Sequence, residues 1–306
     1  MTRTTTEQTS FTSGSAKDAA RCAAWLTLPT GSRPANAPHP VVVLVHGGGA
    51  THDMGLPAYE QAFAGAGLAV LAFDFRHLGS SGGEPRGLMS PRRYLADVRS
   101  ALDFVRARPE LDAGRIALWG TSFGASHVVA TAARHPEVAA AVVQCPVFSG
   151  RQVALHGGLG QLAGFTGPIV SDLVRAATGR PRRYLPIVGR PGERAFVNQP
   201  GAWEGWHSLV ADGSSFDNRV PAAAALDMLR YHAAARLPRV RCPLLVCVSD
   251  RESLIDPASV PAAAATAPKV TVRHYPADHF DVYHQPLRDR IVADQLSFLT
   301  EHLGLG

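Results

Sequence analysis

One pentapeptide constrains this chain more than any other feature: Gly-Thr-Ser-Phe-Gly at Gly120–Gly124, a G-x-S-x-G. An apolar run, Ile116 to Trp119, precedes it, and a helix-compatible run with Val128, Val129, Ala132 and Ala133 begins just beyond Ser122. A serine on a tight turn between strand and helix projects its hydroxyl clear of a sheet, and small neighbours are needed because the backbones crowd there. The helix start also aims unpaired N–H groups and its dipole at any anion forming beside Ser122. A glycine-rich chain makes the same five letters as an ordinary turn whose serine caps a helix. The surrounding chain must therefore supply the chemistry.

That surrounding chain alternates. Val41 to Val45 and Ala69 to Phe73 are unbroken apolar runs, which is how strands covered on both faces read. Helices are expected from Leu56 to Ala66 and from Pro91 to about Arg108, the second with Tyr94, Leu95, Val98, Leu102 and Val105 on one face. A strand at Val138 to Val143 follows the pentapeptide and its helix. The rhythm breaks at about Phe148 and resumes with strands at Leu244 to Val248 and Val270 to Tyr275, a helix around Pro257 to Ala265, and a closing helix to about Leu303. Such alternation predicts a mostly parallel sheet covered by helices on both faces. Because the sheet is completed only after the break, we read residues 148–238 as an insertion between two parts of one core, 1–147 and 239–306. Within the insertion, Ile169 to Ala177 and Pro221 to Ala235 read as helices, the second capped by Asp217 or Asn218. Ser10 to Thr12 and Cys22 to Leu28 are expected to pair antiparallel, after a frayed tail to about Glu7.

Composition excludes several function classes. The net charge of +5 is thinly spread, and no basic block exceeds the short group Arg180 to Arg183, so no nucleic-acid partner is expected. The four cysteines have no C-x-x-C spacing and read as free buried thiols. No run approaches the roughly 18 apolar residues of a membrane span, and the N-terminus has no apolar leader, so a soluble, cytoplasmic protein with no membrane partner is expected. His46, His52 and Asp53 lack the spacing of a metal site, and the glycines at 47–49 lack that of a nucleotide loop, so no metal and no cofactor are expected.

Three motifs together resemble the α/β-hydrolase-fold serine hydrolases of esterase and thioesterase type: HGG at His46–Gly48, GTSFG at Gly120–Gly124, and DHF at Asp278–Phe280, each placed after a strand. FDFRHLGSSGG also resembles a loop of these enzymes, with His77 where a glycine is usual. The resemblance implies an α/β-hydrolase fold with an inserted helical lid. It implies Ser122 as nucleophile and His279, which follows the last strand and completes the order serine, acid, histidine, as base. Related enzymes place the acid a set distance after the strand here read at Leu244 to Val248. That frame falls on Glu252, with Asp250, two residues early, as the alternative. By the same resemblance the N–H groups of Gly48 and Phe123 form an oxyanion hole.

A serine hydroxyl is a weak nucleophile near neutral pH, so a histidine must take its proton and a carboxylate must hold the imidazole. The expected activity is cleavage of a small-molecule acyl ester or thioester through an acyl-enzyme. Acyl transfer or lactone formation on the same residues and a non-catalytic binding module are the alternatives. Trp203 and Trp206 are expected to contact substrate from the lid, lining an apolar pocket with Phe165 and Phe196; the alternative is that these aromatics pack the lid onto the core. The insertion's arginines, Arg175, Arg180, Arg182 and Arg183, read as a solvated surface before an anion-attracting one.

Overall fold

A computed structural model of the protein describes residues 3–30, 37–156 and 158–305. The Pro-rich stretch at 31–36, read as a connector, lies outside the described residues.

The chain opens with an antiparallel hairpin, β1 (Arg3–Ser13) and β2 (Ala20–Thr30). Alternation follows: β3 (His39–Val45), α1 (Leu56–Gly65), β4 (Ala69–Phe73), α2 (Pro91–Arg106), β5 (Leu111–Thr121), α3 (Phe123–Ala132) and β6 (Ala140–Gln144). Between β6 and the next sheet strand lie α4 (Gly150–His156), α5 (Leu159–Ala177), β7 (Tyr184–Leu185), α6 (Ala202–His207), β8 (Val220–Pro221) and α7 (Ala224–Arg230). The core resumes with β9 (Leu244–Ser249), α8 (Ser259–Ala264), β10 (Val270–Tyr275) and α9 (Leu287–Leu303).

Eight strands form one sheet in the order β1-β2-β4-β3-β5-β6-β9-β10. Strands β4 to β10 in that order run parallel, and β2 is antiparallel to both its neighbours. Side chains alternate across the pleat. Val41, Val43 and Val45 therefore face a layer with Tyr94, Val98 and Val128, while Val42 and Leu44 face one with Leu56, Tyr59, Phe63 and Ile291. This two-sided burial is why the strands read as unbroken apolar runs.

Two expectations are corrected. The tail to Glu7 is not frayed, because β1 begins at Arg3 and pairs with β2 over its whole length. The helix expected from Pro221 to Ala235 is not one element. Val220 and Pro221 pair with Leu185 and Tyr184 instead, and α7 covers only Ala224–Arg230 before the backbone turns extended at Tyr231. Asn218 does not cap a helix either: its carboxamide oxygen accepts the N–H groups of Ile187 and Val188, and its nitrogen donates to the Val188 carbonyl.

Because β3, β5, β9 and β10 are parallel, the loops leaving them share one edge of the sheet. Those loops carry His46–Gly49, Ser122, Asp250–Glu252 and Asp278–His279. The crevice outside the carboxyl ends of parallel strands is where open α/β sheets bind ligands.

Candidate active site

Ser122 sits between β5 and α3 with φ 54° and ψ −125°, a conformation a non-glycine residue adopts only when its surroundings impose it. Two hydrogen bonds impose it here: the Ser122 N–H donates to the Gln144 carbonyl at 2.9 Å, and its carbonyl accepts from the Val147 N–H at 3.0 Å. The flanking glycines make the turn fit. A β-carbon at Gly120 would stand 2.6 Å from Val128 Cγ2, and one at Gly124 would stand 2.4 Å from the carbonyl oxygens of both Val45 and His46.

The hydroxyl meets an imidazole. His279 Nε2 lies 2.9 Å from Ser122 Oγ, and Nδ1 lies 2.8 Å from Glu252 Oε2. An ionised carboxylate only accepts, so Nδ1 carries the proton and Nε2 is left to accept from the serine. Glu252 and His279 are both buried, and the second Glu252 oxygen accepts the Leu254 N–H at 3.0 Å. Asp278, whose role the sequence reading missed, staples the two loops together. Its Oδ1 accepts the N–H groups of Ser253 at 2.8 Å and of His279 at 2.6 Å. Its adjacency to His279 was the one signal in the sequence.

Asp250 is elsewhere. Its carboxylate pairs with His274 Nδ1 at 2.7 Å, both side chains exposed, so the structure brings Glu252 and not Asp250 to His279.

Gly48 and Phe123 come close together at the cavity that Ser122 borders. A β-carbon on Gly48 would stand 3.2 Å from Phe123 Cβ, and all three residues line one cavity. The Phe123 N–H opens α3, where no intrahelical acceptor exists for it. His46 supports this loop from behind: Nδ1 donates to the Gly47 carbonyl at 2.9 Å, and Nε2 accepts the Phe75 N–H at 3.3 Å. Burial lowers its pKa to about 4, so it stays a neutral strut.

The cavity reaching Ser122 has a volume of about 140 Å³. Phe165, Ile169, Phe196, Trp206 and Met228 of the insertion line it, with Met89 and Phe123 from the core. Trp203 is not among the lining residues. It lies one helical turn before His207, meets that ring at 3.9 Å in a tilted contact, carries the Arg190 guanidinium over its face and is half-buried against the core. Two of the four arginines named above are committed elsewhere. Arg182 pairs with the buried Asp172, and Arg175 donates to the Pro181 carbonyl.

His52 and Asp53 do not converge on a common point. His52 stacks on Trp25 and pairs with Glu60, while Asp53 accepts from Thr51 and from the Ser215 N–H. Among the described residues no group of His, Cys, Asp or Glu is arranged to hold a metal ion, and no helix is long and apolar enough to cross a membrane.

Known proteins carry the same architecture. The family described as serine aminopeptidase, S33, matches residues 36–290. The quorum-quenching protein AidA of Acinetobacter baumannii is 33% identical over 279 residues, spanning 91% of this chain and 90% of AidA. Polyketide transferase af380 of Aspergillus fumigatus is 24% identical over 275 residues, 86% of this chain and 90% of af380. Among solved structures, the α/β hydrolase GrgF from Penicillium sp. sh18 superposes with a TM-score of 0.81 at 22% identity, covering 98% of this chain and 99% of GrgF, a likeness of fold.

Proposed function

This chain belongs to the serine aminopeptidase S33 family of α/β-hydrolases, and from that premise we propose that it is a serine hydrolase cleaving a carboxylic ester or thioester. The observation that carries the reading is the unbroken chain of contacts from Glu252 through His279 to Ser122 Oγ, at the mouth of an apolar cavity. In this mechanism Ser122 Oγ attacks the acyl carbon while its proton passes to His279 Nε2. Glu252 accepts from Nδ1–H and stabilises the imidazolium. The N–H groups of Gly48 and Phe123 receive the oxyanion, where one such donor is typically worth about 3 kcal/mol of barrier. Collapse breaks the bond to the leaving oxygen or sulfur, which takes the proton from Nε2. Water, deprotonated by His279, then releases the acid and restores Ser122.

Residues 148–238 act in this reading as the lid, since they supply most of the cavity's wall, from α4, α5 and α7 and from Ile187, Phe196, Val197 and Trp206. A dry wall strengthens every charge interaction at the reacting carbon. It also favours an alcohol over water as the second acceptor, and the likeness to polyketide transferase af380 supports acyl transfer as the second reading. Adding alcohols to the reaction and analysing products separates the two: transfer yields a new ester at the expense of free acid.

The primary test is covalent. A fluorophosphonate is expected to label the wild-type protein stoichiometrically and Ser122→Ala not at all. Labelling that persists in Ser122→Ala, or its absence in the folded wild type, removes the proposal.

A further inference from the structure

Two cavities meet at Ser122, and they are unequal in size and chemistry. The larger, about 140 Å³, has walls built from Val153, Ala154, Phe165, Ile169, Phe196 and Met228, and no charged side chain lines it among the described residues. The smaller, about 30 Å³, is lined by His46, Met54, Leu209, His279, Phe280 and Tyr283. Ser122, Gly48 and Trp206 border both, and His279 borders only the smaller.

The position of His279 decides which part of a substrate goes where, given the reading of Ser122 and His279 proposed above. The leaving atom must come within hydrogen-bond reach of Nε2 to receive its proton. The leaving group therefore lies on the His279 side, and the acyl chain, bonded to the same carbon, extends away from it into the larger cavity. Size then limits the chain. An apolar protein cavity of roughly 150 Å³ takes a benzene molecule, so 140 Å³ holds about six carbon atoms and 30 Å³ one or two non-hydrogen atoms.

Trp206 is the wall shared by the two spaces. Its ring packs against Phe216 and Phe280, it is 7% exposed, and its indole N–H has no acceptor among the described residues. A buried donor without a partner is rare in folded proteins. Trp206 borders both cavities beside Ser122, where the reading above puts the polar atoms of an ester or thioester.

We propose that Trp206 divides the site into an acyl subsite for an uncharged chain of about six carbons and a compact leaving-group subsite beside His279, with its N–H donating to a substrate heteroatom at the junction. The substrate class is a medium-chain aliphatic or phenyl-sized acyl ester or thioester, small next to the scissile bond.

Alkyl fluorophosphonates from ethyl to dodecyl test this without requiring turnover, by the second-order rate of Ser122 labelling. In the wild type the rate is expected to rise by about fourfold per added methylene up to hexyl, and to fall beyond octyl. Ala154→Phe, which fills the cavity, is expected to move the maximum to butyl or shorter. Phe165→Ala, which enlarges it, should move it beyond octyl, with circular dichroism verifying that both fold. A rate independent of length, or still rising at dodecyl, overturns the proposal. A maximum that both folded variants leave in place overturns it equally. If no reagent of any length labels Ser122, the serine-hydrolase reading itself fails, and this proposal with it.

Discussion

Glu252 and Asp250 stand two residues apart after β9, and their partners separate them. Glu252 is 7% exposed and reaches His279, whereas the Asp250 carboxylate is exposed and faces His274 across the parallel pair β9–β10. An exposed ion pair of that kind contributes only about 0–1 kcal/mol. Asp250→Asn is therefore expected to leave kcat within about twofold of wild type and stability nearly unchanged. Glu252→Gln keeps the shape but presents an amide to Nδ1, which lets the wrong tautomer form, and kcat is expected to fall by roughly 10⁴-fold. Assaying both variants on one ester at pH 7 decides the matter, and a large loss in Asp250→Asn alone reverses the assignment. The spacing of the chain pointed to Glu252 but left Asp250 open, because spacing does not say which way a loop side chain turns. Trp203 and Trp206 show the same limit: both fall within α6, three residues apart, yet Trp206 borders the cavities and Trp203 lies beneath Arg190.

Elements buried on both faces were legible, and those held by partners distant in sequence were not. β4 and β9 run as their apolar patterns predict, since burial on two sides leaves little choice of residue. β1 is an edge strand whose residues are mostly exposed, and Thr-Thr-Thr-Glu-Gln-Thr carries no apolar period to announce it. The segment around Pro221 went wrong for a related reason. Its alanine-rich stretch favours helix locally, but the short pairing with Tyr184–Leu185 and the Asn218 carboxamide outweigh that preference. The contact of α3 with β3 was legible in kind, through Gly124, and its tightness makes a prediction. A methyl at Gly124 forces α3 away from the Val45 and His46 carbonyls, an overpacking that costs about 1–3 kcal/mol. Gly124→Ala should thus lower the denaturant midpoint. It should also lower kcat by more than tenfold, because the displaced helix carries the Phe123 N–H away from the Gly48 side. An unchanged midpoint would show that the elbow tolerates the extra carbon.

At the scale of the whole molecule, burial of histidines sets an acid limit on stability. Burial lowers the pKa of His46 to about 4, of His77 to about 4 and of His127 to about 3, with the charges of Arg93 and Arg76 adding at His77 and those of His46 and Arg236 at His127. An unfolded histidine titrates near 6.5, so between about pH 6.5 and 4 the unfolded chain holds protons on these three that the folded one does not. Stability from these groups is present above pH 6.5 and is lost as pH falls. Two buried carboxyls oppose the trend. Burial raises Asp74 to about 6, and it also raises Asp97 despite its pairing with Arg76, so the folded state retains protons there that the unfolded state gives up. The histidines outnumber them. The balance is a net uptake of one to two protons on unfolding near pH 5, or roughly 1.4–2.8 kcal/mol lost per pH unit. Urea unfolding at pH 7, 6 and 5 should show this decline. His127→Phe should flatten it by about one proton, since that ring already sits among Phe75, Tyr94, Phe123 and Tyr231 and loses only its contact with the Tyr231 hydroxyl. A variant whose stability falls with acid as steeply as wild type would mean that His127 takes no part in the acid response.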